Sequence, residues 1–331
     1  MKPRCVCVMD AQFFSEVLGP DELAHLKEIV DFRGLIDGPR LLASASDYQD
    51  VELMVGSWGM PPLTAELLAH LPRLQAVFYA AGTVKFCVTD AFWERGIRIT
   101  NASLANARPA AEFAFAEIIL SLKRAWERLF LLREQRQFVQ RDPLVKGCYG
   151  TTVGLLALGK IGRLVAEKLR TLDVNVIAYD PFVNAEEAAA LGVTLCPLEE
   201  VFASADVISC HLPSTPQTQQ LLRGEHFAKM IRGATFINTA RGRVVCEDEL
   251  IAVLKERPDL FAVLDVMDNE PPARDAALLS LPNVVLTPHI AGSVGLECRR
   301  MGRMMIDELK RHLVGEPLQG EVLREQLEML A

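Results

Sequence analysis

The sequence predicts an α/β protein of two Rossmann-like domains, the larger built on a doubly wound parallel sheet and the smaller flavodoxin-like. Three observations carry that expectation. From Thr151 onward, short apolar runs rich in β-branched residues alternate with helical segments, the rhythm of βαβ units. The first hundred residues repeat this rhythm more loosely. At 331 residues the chain also exceeds the size at which one hydrophobic core usually stops growing.

In chain order, "RCVCVM", "VELMVGS", "LQAVFYA" and "IRIT" read as strands of the smaller domain, with Cys5 and Cys7 packing as small hydrophobes. The run "RPAAEFAFAEIILSLKRAWERLFLLREQRQF" reads as one long helix with Phe113, Ile118, Trp126, Leu129 and Phe130 on apolar stripes. Its length and amphipathicity suit both a core helix of the larger domain and a dimer contact. Lys123, Arg124, Arg128 and Arg133 alternate with Glu127 and Glu134, which reads as a solvated face and not a nucleic-acid patch. The larger domain then supplies "TTVGLLAL", "VNVIAYD", "ADVISCHL", "ATFINTA", "FAVLDVM" and "NVVLTPHI" as strands. Helical segments such as "KIGRLVAEKLRTL" and "CEDELIAVLKERP" separate them. Strands with so little polar alternation suit a parallel sheet covered by helices on both faces.

Composition excludes several classes. A formal net charge of −8 argues against broad attraction to nucleic acid or an anionic membrane. No apolar run is long enough to span a bilayer, and "MKPRCVCVMD" lacks the apolar core of a signal peptide, so a cytoplasmic protein is expected. The eight cysteines include no C-x-x-C pair, so reduced thiols and no metal site are expected.

The stretch "GLLALGKIG", Gly154 to Gly162, admits two readings. Gly154, Gly159 and Lys160 have P-loop spacing, but Ile161 stands where a magnesium-binding Ser or Thr is needed. The dinucleotide fingerprint G-x-G-x-x-G instead falls on Ala157, Gly159 and Gly162, between a strand and a helix. Ala157 is expected to keep a negative φ there. Gly159 would let the backbone approach a pyrophosphate, and Gly162 would let the helix pack on the strand. Asp180, ending "VIAYD", is placed to bind the adenosine ribose hydroxyls and repel a 2′-phosphate, which makes NAD the expected cofactor.

The ordered motifs "VGLLALGKIG", "YDP", "CHLPSTPQTQQLL", "FINTARGRVV", "LDVMDNEPP" and "TPHIAG" resemble those of the D-isomer-specific 2-hydroxyacid dehydrogenases. The resemblance implies a catalytic set of Arg241, Glu270 and His289. It implies a substrate domain of residues 1–101 completed by 295–331, an NAD-binding domain of residues 102–294, and a cleft between them holding both ligands. Lys160 and Ile161 become backbone contacts to the pyrophosphate and Leu212 an adenine-side wall. Thr239, Ala240 and Asp265 become nicotinamide-side contacts, and Gly292 joins the cofactor set. "FYAAGTV" matches the family's glycine loop, whose amides around Ala81 and Gly82 would hold the substrate carboxylate, although Val84 and Lys85 replace the usual acid beyond it. The resemblance also implies a homodimer through the larger domain.

The chemistry asks for the same side chains independently. Proton transfer at the oxygen of a 2-oxo acid suits histidine, whose unperturbed pKa is about 6.5. A carboxylate such as Glu270 would hold the ring in one tautomer, and a substrate carboxylate beside a carbonyl suits the planar fork of Arg241. His289→Ala is therefore expected to abolish turnover while leaving NADH binding nearly unchanged. Formate dehydrogenases pair the histidine with a glutamine, which Glu270 counts against. A further alternative is an NAD(H)-sensing binding protein, akin to the corepressors of this family. The chain, ending at Ala331, is expected to carry no regulatory appendage. The loops around Ser57, Trp58, Tyr79 and Leu104 select neither substrate nor direction, though Trp58 and Met60 would favour an apolar group if they face the cleft.

Overall fold

The computed structural model describes residues 2–329, and the chain divides into two compact units. One is Met1–Asn106 with Ser293–Ala331, the other Ala107–Gly292.

The first unit holds five parallel strands, β1 (Arg4–Val8), β2 (Asp31–Ile36), β3 (Leu53–Gly56), β4 (Ala76–Tyr79) and β5 (Arg98–Asn101). Their order, β2-β1-β3-β4-β5, is that of flavodoxin. β2 escapes the sequence reading because it is an edge strand whose half-exposed pattern in "DFRGLI" shows no apolar run. The helix Cys298–Val314 returns to this unit, where Met301, Met305 and Leu309 pack with Cys5, Cys7, Val55 and Phe78. A Cβ at Gly302 would lie 1.9 Å from Val17 O, so only glycine allows this helix so close. Beyond it, Glu308, fully buried, accepts Gln319 N at 2.8 Å and Gly320 N at 2.9 Å. The tail then pairs with β5 through Asn101 N–H to Gly320 O and Val322 N–H to Ile99 O, which covers an otherwise open sheet edge.

The second unit holds seven parallel strands, β6 (Tyr149–Leu156), β7 (Asp173–Tyr179), β8 (Thr194–Leu195), β9 (Val207–Cys210), β10 (Thr235–Asn238), β11 (Phe261–Leu264) and β12 (Val284–Leu286). The order β12-β11-β10-β9-β6-β7-β8 is the doubly wound Rossmann order with one strand added. All residues of β9, β10 and β11 are buried, as strands covered on both faces must be. One face packs Phe202, Phe227 and Leu250; the other packs Ile118, Val165 and Leu169.

The single long helix expected from the sequence is two, Ser103–Leu122 and Ala125–Glu134. The break falls at Arg124, which turns the chain with φ +50°. Arg124 is also not on a solvated face. It is 7 % exposed, with its guanidinium against Glu127 and Asp142. These two acids explain why a cation can be buried there. All eight cysteines are free, and burial pushes the Cys5 thiol up to about 12. Among the described residues no helix is long and apolar enough to cross a membrane, and no His/Cys/Asp/Glu group is placed to hold a metal ion.

Candidate active site

Because the strands of the second unit are parallel, their carboxyl ends share one edge of the sheet, the side on which ligands of such folds gather. Ala157–Gly162 follow β6, Asp180 follows β7, Leu212 follows β9, Thr239–Arg241 follow β10, Asp265 follows β11, and Thr287–Gly292 follow β12. Ala81 and Gly82 lie in the first unit, directly after β4 and its neighbour Ala80.

The expected negative φ of Ala157 is overturned, since its φ is +78°. The turn demands the left-handed region, and this chain meets the demand with a Cβ present, at a cost that glycine would avoid. Ala157→Gly is accordingly expected to stabilise the fold by about 0.5–1 kcal/mol. Urea unfolding checks this, and an unchanged or lowered midpoint would show that packing of the Ala157 methyl outweighs the strain. The other two glycines behave as expected of their positions. A Cβ at Gly162 would sit 2.1 Å from Ala157 O, whereas one at Gly159 would meet nothing within 4 Å.

The helix Lys160–Leu169 begins with Gly159 as its cap, without a side-chain acceptor, and its first intrahelical bond is Arg163 N–H to Gly159 O. The amides of Ile161 and Gly162 therefore face an open cradle at the positive end of the helix, suited to a pyrophosphate. Asp180 accepts Leu158 N–H through Oδ2 at 2.7 Å, and Phe182 and Val183 N–H through Oδ1 at 2.8 and 3.2 Å. Of about four acceptor positions on a carboxylate, three are taken and one, on Oδ2, is left for a ribose hydroxyl. Thr239 Oγ1 is buried without a hydrogen-bond partner, a donor awaiting a ligand. Leu212 and Ala240 present buried apolar surface, and burial lowers the Lys160 amine from its ordinary range. These residues fit a dinucleotide.

His289 and Glu270 are in contact, Nδ1 to Oε2 at 2.6 Å. The other carboxylate oxygen, Oε1, accepts Met267 N–H at 3.0 Å, so Glu270 is fixed from behind. With Nδ1–H given to the carboxylate, Nε2 is the nitrogen left for a reacting atom. His289 has φ +54°, and its N–H goes to Asp265 O and Thr287 O, both at 3.0 Å. Asp265 anchors this turn. Only 1 % exposed, it accepts Thr287 Oγ1–H at 2.6 Å and Ile290 N–H at 2.8 Å on Oδ1, and Ala291 N–H at 2.8 Å on Oδ2.

Arg241 is presented by Asn238, a residue the sequence reading passed over. Its Oδ1 accepts Ala240 N–H at 3.0 Å and its Nδ2 donates to Arg241 O at 2.9 Å. An asparagine at a strand end followed by "TARG" is an Asx-turn signal that could have revealed it. Gly242 is a second omission, where a Cβ would fall 1.9 Å from Met267 C and 2.0 Å from Met267 O. The Arg241 guanidinium is half-buried, and its described side-chain bond is Nη1 to Ala240 O at 2.7 Å. Burial pushes it below the ordinary arginine range while nearby Glu270 opposes this. Such a cation favours an incoming anion. In the first unit, Ala81 gives its N–H to Tyr79 O at 2.9 Å, which leaves Gly82 as the donor of that pair. Ser57, Met60 and Tyr79 are buried in that unit, while Leu104 is 49 % exposed.

Comparison with known proteins places the chain in a family. Residues 116–291 match the family model "D-isomer specific 2-hydroxyacid dehydrogenase, NAD binding domain". The chain is 34 % identical over 305 residues to D-3-phosphoglycerate dehydrogenase of Mycobacterium tuberculosis (strain ATCC 25618 / H37Rv), covering 91 % of this chain and 56 % of that protein. It is 34 % identical over 259 residues to glyoxylate reductase of Korarchaeum cryptofilum, covering 77 % of this chain and 78 % of that one. The chain thus spans about half the length of the phosphoglycerate dehydrogenases it matches. Among solved structures, apo D-mandelate dehydrogenase of Rhodotorula graminis superposes with a TM-score of 0.82 at 25 % identity, covering 98 % of each chain. The second unit is an NAD-binding domain, and the chain belongs to the D-isomer specific 2-hydroxyacid dehydrogenase family.

Proposed function

We propose that the chain is an NAD-dependent oxidoreductase interconverting a 2-oxo acid and a D-2-hydroxy acid, acting as a cytoplasmic homodimer. The observation that carries this reading is the 2.6 Å contact of His289 Nδ1 with Glu270 Oε2, on the sheet edge that also presents Arg241. When bound, the reduced cofactor supplies a hydride for C2 of the 2-oxo acid. Gly159, Lys160, Ile161 and Gly162 hold the pyrophosphate, Asp180 the ribose, and Leu212 the adenine side. Thr239, Ala240 and Asp265 serve the nicotinamide side, and Gly292 belongs to the cofactor set.

In reduction, His289 Nε2 gives a proton to the oxygen on C2; in oxidation it takes that proton back. Glu270 holds the ring in the tautomer that leaves Nε2 outward. Arg241 takes the substrate carboxylate and carbonyl in one planar fork. The Gly82 amide is the further carboxylate donor in this reading. Leu129 and Leu132, both exposed on the helix Ala125–Glu134, support its use as the dimer contact.

The test follows NADH and NADPH oxidation against glyoxylate, hydroxypyruvate, pyruvate and phenylpyruvate, and NAD reduction with D-3-phosphoglycerate. Turnover with NADH and a D product is expected. NADH binding without turnover on any member would favour the sensing alternative.

A further inference from the structure

Asp180 is not the only carboxylate at the adenosine end of this site. Arg163, directly after the last fingerprint glycine, donates through Nε to Leu158 O at 2.9 Å and through Nη2 to Glu187 Oε2 at 2.9 Å. Leu158 is the same residue whose N–H is held by Asp180. Glu187, in the helix Ala185–Ala190, is fixed in turn by Asn184, whose Nδ2 meets Glu187 Oε1 at 3.3 Å and whose Oδ1 accepts Glu187 N–H at 2.9 Å. The neighbouring Val183 N–H returns to Asp180 Oδ1. Asp180, Leu158, Arg163, Glu187 and Asn184 therefore close a hydrogen-bonded ring through backbone and side chains around the turn that follows β7.

Two features of this ring need an explanation. An arginine near the start of a helix opposes the dipole, which favours anions there. A guanidinium beside a ribose site is also the usual means of accepting a 2′-phosphate, yet this one is already occupied. We propose that Glu187 is a specificity-determining residue. By engaging Arg163 it withholds a phosphate-binding fork, so the chain rejects NADP with two carboxylates instead of one. With both acids present the three side chains carry one net negative charge; without Glu187 they balance, and Arg163 can offer two N–H groups to a phosphate monoester. The inference rests on the reading of Asp180 as the ribose site.

Calorimetric titration of NADH and NADPH into the purified protein at low ionic strength tests it without relying on turnover. Glu187→Ala is expected to tighten NADPH binding about tenfold, as one charge-assisted contact would, and to leave NADH binding unchanged. The Arg163 and Glu187 side chains are 42 % and 50 % exposed, so the gain should fade as salt is added. In Glu187→Ala/Arg163→Met the gain should vanish. An unchanged NADPH affinity in Glu187→Ala, or a gain that survives loss of Arg163, would overturn the proposal while leaving the cofactor reading intact. Absence of NADH binding to the unaltered protein, or a nucleotide preference untouched by Asp180→Ala, would bring down the ribose reading and this inference with it.

Discussion

His289→Asn is expected to lower kcat by about 10³-fold, the order of a general acid–base contribution, with NADH binding and the unfolding midpoint nearly unchanged. The reason lies in the two nitrogens of the ring. Nδ1 is held by Glu270, and Nε2 is the atom proposed to exchange a proton with substrate. Asparagine is the sharper replacement than alanine because His289 sits at φ +54°, a region that Asn tolerates better than most residues. Steady-state kinetics, NADH titration and urea unfolding measured on one preparation separate the possibilities. Concerted loss of turnover, binding and stability would make His289 a structural residue of the turn after β12.

Gly242→Ala is expected to cost about 3 kcal/mol of stability, the upper range for forced overpacking. The added carbon would lie 1.9 Å from Met267 C, 2.0 Å from Met267 O and 2.4 Å from Asp268 N. All three are backbone atoms, so no side chain can rotate away, and the segment after β11 must move. That segment carries Met267 N–H, which holds Glu270, so the displacement reaches His289 as well. Urea unfolding should show the lowered midpoint, and any folded fraction should have lost activity. A variant with native midpoint and native kcat would show that the close approach of Gly242 to Met267 is not needed.

The larger domain was legible because its strands are buried on both faces and read as apolar runs, as in "VISC", "TFIN" and "FAVL". Arg241, Glu270 and His289 were named together from the motifs "NTARG", "NEPP" and "PHIAG", whose resemblance to one family carried the roles; the strand reading added only that they follow neighbouring strands of one sheet. What escaped has physical causes. β2 lies at a sheet edge with only Ile36 buried, and β8 is only two residues long. The break at Arg124 involves neither glycine nor proline; it depends on Glu127 and Asp142 meeting a buried guanidinium, and Asp142 lies in a different segment. The sign of φ at Ala157 could not be read from an alanine, because the residue type argues for the opposite of what the turn imposes. Asp265 was legible as a site residue, yet its part in holding Thr287, Ile290 and Ala291 depends on β11 and β12 being neighbours.

The proposed reaction is a direct hydride transfer between the cofactor and C2, with the proton handled by His289. It is tested most directly by supplying NADH stereospecifically deuterated at C4, in each configuration, with the 2-oxo acid that gives turnover, and locating the label in the product by NMR and mass spectrometry. One of the two cofactors should deliver deuterium to C2 of a D-2-hydroxy acid, with none lost to solvent. NADH bound and no label at C2 from either cofactor would rule out direct transfer to C2.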